Sequence, residues 1–479
     1  MPAVIAPNGN ARAWVLSHAS KAMLSQVVRR TVRFVFLFLA ARKLGPETFG
    51  VYVLLLAILE TLSLITGEGL TDYVAREAAK TPRAARTIFD RVTVMRWLLA
   101  GVVAPLAVLA LRLLHYSKEV QVCAALLFVV LIARGPLAAA QGIFRGANRM
   151  GLLIWLEGVQ GAVLLGIGTY GLLHGATLQV VVAVEVAAAA IAAIVAAFLT
   201  RSLWAANDAV PVTWRTIWHA AATFNVFPLI ANIYDRIDIV ILSVIAGNAA
   251  AGLYALPYRV LATLQVIPFG LMAVVLPLLA ARTDFSNDKQ FCLRMATLLG
   301  VLSMFPALIL TLLAKPLVLL VLGESYAAST NILRLLVWAA IPMFINYGLN
   351  TFLLARDRER VFLLTSAVCA IANINLNLIL IPRYSYHGAA AVTIVTELLL
   401  LAQNLLIIYK TFAFVALPNR LWLPTAVLAL IVAAAQVIGS HLSPFLVAAA
   451  AATAFTIVLY FTGLLTEIAD SMNLGATRA

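Results

Sequence analysis

Three arginines, Arg29, Arg30 and Arg33, stand inside one apolar stretch of the chain. Arg29 and Arg33 are four residues apart, and Arg30 and Arg33 three apart. On a helix both spacings place side chains on one face, so the cations repel one another unless an anion lies among them. Guanidinium forks match phosphate oxygens in pairs, which makes a phosphate-type anion the chemistry this cluster suits. The competing reading is that Arg29 and Arg30 reach lipid headgroups along their apolar stems. A second group is Asp235, Arg236 and Asp238. Asp235 and Asp238 are spaced i, i+3, so an arginine or a cation can bridge them, and an acid in an apolar cavity suits proton coupling. Alternatively, Arg236 is neutralised by an acid on a facing helix. Arg134, Arg259 and Arg334 each sit alone in a further apolar stretch and are candidates for lining the same cavity. Arg96, Arg112 and Arg294 lie nearer the ends of theirs and are expected to snorkel. Glu60, Glu157, Glu185 and Glu397 are expected to pair with these arginines across helices. Glu60 is the foremost coupling candidate, because its helix follows the cationic one.

These charges matter because of where the chain puts them. Of 479 residues, 63% are hydrophobic and 11% charged, less than half the charged share of a soluble domain, about 25%. So few charges cannot cover a water-facing surface, which excludes a soluble enzyme, a disordered tail and a nucleic-acid-binding module. Fourteen apolar windows follow one another, near 20–42, 49–67, 92–114, 119–141, 151–173, 178–200, 219–246, 252–281, 292–314, 331–354, 361–381, 387–409, 421–440 and 444–465. Each is long enough to cross a bilayer as a helix. They are continuous, with none of the ten-residue alternation of a membrane β-barrel. The net charge of +14 resolves on counting loops. With a cytoplasmic N-terminus, 19 Lys and Arg fall on the cytoplasmic side and 5 on the other, so both termini are expected in the cytoplasm. Ten arginines remain inside the spans.

A repeat organises the windows. Gly45, Gly50 and Tyr52 follow the first, and Gly247, Gly252 and Tyr254 follow the seventh. Both read G-x₄-G-x-Y, offset by 202 residues. Asn148-Arg149 and Asp357-Arg358 form a second corresponding pair of basic turns. An even number of helices per copy gives the copies the same orientation, a parallel repeat. The sequence therefore predicts an all-α polytopic membrane protein of about fourteen transmembrane helices. Two six-helix lobes (1–218 and 219–419) form the pseudo-repeat, and 420–479 adds two helices and a cytoplasmic tail. The segment 72–91 reads as amphipathic and basic, lying on the anionic inner leaflet. Asn373, Asn375 and Asn377 suggest interhelical hydrogen bonds, and Trp338 and Tyr347 are placed to stack on sugar. Cys123, Cys292 and Cys369 have no metal-ligand spacing and read as small core residues. No cleavable signal peptide, G-x₄-G-K-[ST] loop, H-E-x-x-H or histidine triad spacing is present.

The ordered succession of motifs resembles one family. Its carriers are Leu44 to Tyr52 (LGPETFGVY), Gly67-Glu68-Gly69-Leu70, Asp238 to Leu242 (DIVIL), Gly252-Leu253-Tyr254 and Leu276-Pro277. Later come Gly323 to Tyr326 (GESY), Asn377 to Pro382 (NLILIP) and Gly388 to Ala391 (GAAA). Together they resemble the Wzx-type flippases of lipid-linked oligosaccharides, in the multidrug/oligosaccharidyl-lipid/polysaccharide exporter superfamily. The resemblance covers nearly the whole chain. It implies a two-lobed bundle around a central cavity that moves an undecaprenyl-pyrophosphate-linked sugar across the bacterial inner membrane by alternating access. Arg30, Arg33, Arg29, Arg134, Arg236, Arg259 and Arg334 are then expected to face the pyrophosphate, with Asp235, Asp238 and Glu60 coupling or pairing. No cofactor or metal is expected; H+, Na+ or the membrane potential would drive the cycle. The partners are the lipid-linked substrate, membrane lipids and the polysaccharide polymerase machinery, with no nucleic acid, and the protein is expected to be a monomer. The alternatives are a cation-coupled multidrug antiporter of the same superfamily, which would want an acid-rich cavity, and a membrane glycan polymerase or ligase, which would want a large periplasmic loop.

Overall fold

The computed structural model describes residues 11–175, 177–201, 212–280, 288–414, 421–438 and 443–464, with backbone alone at 11–30, 222, 223, 227, 278 and 436–438. Among the described residues there is no strand. In chain order the helices are α1 (Ala11–Ile65), α2 (Leu70–Lys80), α3 (Ala85–Leu113), α4 (Lys118–Gly146), α5 (Met150–Leu173), α6 (Leu178–Arg201), α7 (Trp214–Ala246), α8 (Asn248–Leu264), α9 (Val266–Ala280), α10 (Asp288–Leu322), α11 (Ser329–Leu336), α12 (Ala340–Ala355), α13 (Glu359–Phe412), α14 (Trp422–Ile438) and α15 (Pro444–Phe461). Hydrocarbon offers no partner for a bare peptide group, so apolar runs of this length become helices that bond internally. Ten helical stretches among the described residues are long and apolar enough to cross a membrane. The protein is a multi-pass membrane protein.

Two of the helices are hairpins. Drawn straight, the 54 residues of α13 would run about 80 Å, far beyond the roughly 30 Å of a hydrocarbon core. The chain instead turns at Ser385 (φ 50°, ψ −133°). Pairs on either side of it meet: Gln403 Nε2 lies 3.2 Å from Cys369 Sγ. A Cβ placed on Gly388 would lie 2.7 Å from the Leu380 carbonyl oxygen, so the two limbs approach backbone to backbone at the turn. Gly388→Ala is expected to force that turn apart and destabilise the protein by about 1–3 kcal/mol, the usual range for overpacking. Thermal unfolding of the purified protein checks this; an unchanged midpoint would mean the turn relaxes freely. In α1 the break is Gly45 (φ 75°, ψ 168°), and the α7–α8 junction is Gly247 (φ 89°, ψ 165°). These are the first glycines of the two repeat motifs. They share a conformation that side-chain-bearing residues rarely adopt. Counting each limb of α1 and α13 separately, and α8–α9 and α11–α12 each as one interrupted span, gives fourteen spanning segments with α7, α14 and α15 included.

Boundaries differ from the sequence expectation where prolines and polar turns intervene. The window 252–281 is broken at Gln265, between α8 and α9, and 331–354 passes through a 3-10 turn at Val337–Ala339. α3 begins at Ala85, not 92, because the basic segment folds into α2 and the first turns of α3. Leu70, Tyr73, Val74 and Ala78 of α2 are buried, while Arg76 and Lys80 are exposed.

The chain divides into two compact units, Met1–Arg236 and Ile237–Ala479, and the division falls within α7. In the first unit Leu70, Val74, Ile88, Val92 and Met95 pack with Ile143, Phe144, Leu156 and the alanines Ala192 and Ala196 of α6. Small residues there let helix backbones close up without a hydrophobic drive from water. In the second, Met304, Leu308, Leu349, Phe352 and Ile408 join Leu428 of α14 and Phe455 and Leu459 of α15. Outward, α3 carries an exposed stripe of Leu98, Val102, Leu106, Leu109 and Leu113. That surface is stable only against lipid.

Candidate functional site

In the first unit a line of polar groups follows the second limb of α1 through the span. Glu185 of α6 is its anchor. Its Oε1 accepts a hydrogen bond from Arg33 Nη1 at 2.5 Å and another from the hydroxyl of the fully buried Tyr52. Arg33 and Tyr52 would stand about 28 Å apart on a straight helix; the fold at Gly45 brings both to one carboxylate. Glu60, on the same limb, also attracts Arg33, and its Oε2 lies 2.9 Å from Arg236 Nε on α7. Thr61 donates to Asn232 of α7 at 2.9 Å. Further along, Arg134 of α4 donates to Ser63 and to Glu68 at 3.3 Å. The side chains of Arg33, Arg236 and Arg134 keep 26%, 17% and 25% of their exposure. Charges at this depth must meet protein, water or a partner, and each of these three stands beside a carboxylate. The carboxylates orient the three guanidiniums, each a planar fork of five N–H groups.

The second unit repeats the arrangement with one change. The Tyr254 hydroxyl, fully buried, donates to Asp238 of α7 and lies 3.0 Å from Thr393 Oγ1 on the second limb of α13. Tyr52 and Tyr254 are the tyrosines of the two G-x₄-G-x-Y motifs. Each clasps the second span of its unit to a carboxylate, supplied by the sixth span in one copy and the first span in the other. The glycine turn and the buried tyrosine–carboxylate contact recur in both copies, although the carboxylates come from different spans. Elsewhere in the unit Glu397 accepts from Asn346 Nδ2 at 3.1 Å, and Asn404 donates to Asn346 at 3.2 Å.

The remaining candidates are dispersed. Arg334 Nε lies 3.4 Å from the Thr311 carbonyl, and Arg259 is half-buried on α8. Asp235 is half-buried on α7, whereas its i+3 partner Asp238 is 2% exposed, so the two sit in different surroundings. The side chains of Arg29 and Arg30 lie outside the described residues. The bonds of Asn375 and Asn377 run within their own helix, to Ile371 and Asn373, rather than between helices. Trp338 packs on the second core. Arg96 corrects the snorkelling expectation: it is 0% exposed, because α3 begins about two turns earlier than its hydropathy suggests and carries the residue away from the span end. Tyr52, Tyr254 and Ser63 were not foreseen as site residues; the repeated tyrosine was the available signal. Among the described residues no cluster of three His, Cys, Asp or Glu is placed to hold a metal.

Residues 15–282 match the family described as polysaccharide biosynthesis protein. The chain belongs to that family. The match takes in the first unit from residue 15 onward and the Tyr254–Asp238 contact of the second. Among curated proteins, one of Shigella flexneri assigned as an O-antigen transporter is 25% identical over 390 residues, covering 75% of this chain and 90% of that one. Among solved structures, the lipid II flippase MurJ in an inward closed conformation is similar with a TM-score of 0.65 at 13% identity, covering 93% of this chain and 99% of the other. An inward-facing multidrug resistance MATE transporter of the MOP superfamily gives 0.63 at 13% identity, covering 80% and 96%. These structures share the family member's fold.

Proposed function

We propose that the protein is a Wzx-type flippase. It carries an undecaprenyl-pyrophosphate-linked oligosaccharide across the bacterial inner membrane by alternating access, for export of O-antigen, capsule or exopolysaccharide. The observation that carries this reading is the polar line of the first unit, where Arg33, Arg236 and Arg134, each beside a carboxylate, keep part of their side-chain surface open. A pyrophosphate offers those forks paired oxygens at the depth where a lone cation would be costly. The family match, the O-antigen transporter assigned in Shigella flexneri and the named lipid II flippase support the same class of substrate. A multidrug antiporter shares this fold, but a cationic drug would be repelled by the arginines. In this reading both termini face the cytoplasm, which the distribution of basic residues supports. H+, Na+ or the membrane potential supplies the driving force, and Glu60 and Asp238 are the acids to examine for coupling.

Deleting the gene is expected to make lipid-linked glycan accumulate in the cytoplasmic leaflet, read by protection from an added glycan-modifying enzyme in membrane vesicles of known sidedness. Complementation with Arg33→Lys keeps the charge beside Glu185 but removes the fork. It is expected to restore export at least tenfold less well than the wild type at equal protein level. Normal export in the deletion strain, with no second exporter present, would end this reading.

A further inference from the structure

Arg96 stands apart from every other charge described. It is fully buried on α3, and its Nε, Nη1 and Nη2 have no hydrogen-bond partner among the described residues. One turn earlier the buried Thr93 hydroxyl is also without a partner, so two orphan donors share one face of α3. An uncompensated buried guanidinium is among the least tolerated groups in a folded protein, and such strain persists where function uses it. The charges acting on it are Glu68, which attracts it, and Arg134, which repels it.

Glu68 is loosely held. Its contact with Arg134 is 3.3 Å long and its side chain is 43% exposed. It sits on the turn between α1 and α2, flanked by Gly67 at φ +99° and by Gly69. The turn lies against α3 beside Arg96: a Cβ on Gly67 would be 3.5 Å from Met95 Cε. Arg134 keeps the Ser63 hydroxyl as a partner if Glu68 departs. The turn is also tied to α7, since Gly69 N–H donates to Asn225 Oδ1 at 2.7 Å. A Cβ there would lie 2.4 Å from the Phe224 carbonyl oxygen, so the turn cannot shift without α7 shifting.

We propose that Glu68 exchanges partners between Arg134 and Arg96, and that the Glu68–Arg96 pair, closed over the Thr93 hydroxyl, locks the other access state of the transporter. The inference rests on the transport reading and gives it a two-state element: a glycine-flanked carboxylate with two seats, one of them vacant. In the described state Arg96 is the strained seat. Movement of α7 carries the turn, and Glu68 with it, toward α3. Arg96 is then a positioning residue, acting through Glu68 and not on substrate.

The test uses the full-length protein in lipid nanodiscs, with Arg96→Met, Glu68→Gln and the double variant. Removing an unpartnered buried cation relieves the described state. Arg96→Met is therefore expected to keep or raise the thermal midpoint while slowing hydrogen exchange across residues 63–80 by roughly tenfold, because the turn loses its second seat. Export falls at least tenfold in each single variant, and the double variant loses no more, since both break one pair. A lowered midpoint with export tracking the amount of folded protein would reduce Arg96 to a structural charge and overturn the proposal. Unchanged exchange at 63–80 would overturn it as well. The midpoint and exchange readouts need no glycolipid. If they move as expected while gene deletion leaves lipid-linked glycan undisturbed, the exchange stands and the substrate reading falls.

Discussion

Replacing Glu185 with alanine is expected to destabilise the protein by about 3–5 kcal/mol, the range found when one member of a buried pair is removed. The substitution strips two groups at once. Arg33 loses its 2.5 Å partner, and the Tyr52 hydroxyl, with no solvent contact, loses its acceptor. The same carboxylate holds the two limbs of α1 and α6 to one point, so its loss also loosens the polar face. Arg33→Met should cost nearly as much, because it leaves a carboxylate 8% exposed with Tyr52. Tyr52→Phe leaves the ion pair intact and should cost about 1–3 kcal/mol for the lost donor. Combining Arg33→Met with Glu185→Leu should recover most of the stability, since an apolar pair needs no compensation in the interior. Thermal unfolding of the four variants gives the comparison. A double variant as unstable as the sum of its parts would show that the two residues do not act as a unit. Export should not return in the double variant even where stability does, because the Arg33 guanidinium is gone from the polar line.

Arg356→Ala is the second large effect, also about 3–5 kcal/mol, and it falls on the second unit. Arg356 Nε and Nη2 bind the two oxygens of Asp288 at 2.9 and 2.6 Å, with both side chains 7% exposed. Its Nη1 reaches the Leu279 carbonyl at 3.4 Å, and its guanidinium lies 5.8 Å from the centre of the Phe352 ring. One residue thereby ties the ends of α9, α10 and α12. Arg356→Lys keeps the charge but not the fork or the ring stacking, and should recover less than half of the loss. Measured by the same unfolding assay, a lysine variant as stable as wild type would show that charge alone suffices. Export by surviving folded protein should be near normal, which separates this clamp from the Arg33–Glu185 site.

That contrast shows what a list of charges leaves out. Arg356 is counted on sequence as one more cytoplasmic cation, and Arg96 as one more residue at a span end. One is a buried clamp and the other a buried orphan. Hydropathy windows locate a span to within a turn or two, and about two turns decide here whether a guanidinium reaches headgroups or the core. Arg33 draws attention on sequence because three cations on one apolar run need an answering charge, and the structure supplies one in Glu185. That partner was not legible: Glu185 lies 152 residues away, and four buried acids were equally plausible on sequence.

The amino-acid sequence by itself determined the class and the plan. Apolar runs without alternation can only be spanning helices, because a bare backbone finds no partner in lipid. The repeated G-x₄-G-x-Y fixed where two of the turns fall, because a backbone at φ near +80° wants glycine. The motif order fixed the family. Only the tertiary structure decided which acid answers which arginine, that the two motif tyrosines grip carboxylates on different spans, and that Arg96 stands without a partner. Ion pairing depends on the rotation and depth of each helix against its neighbours. A periodic apolar pattern constrains that rotation weakly when lipid and protein are equally apolar. The charges inside the membrane were visible from the first reading; their partners exist only in the fold.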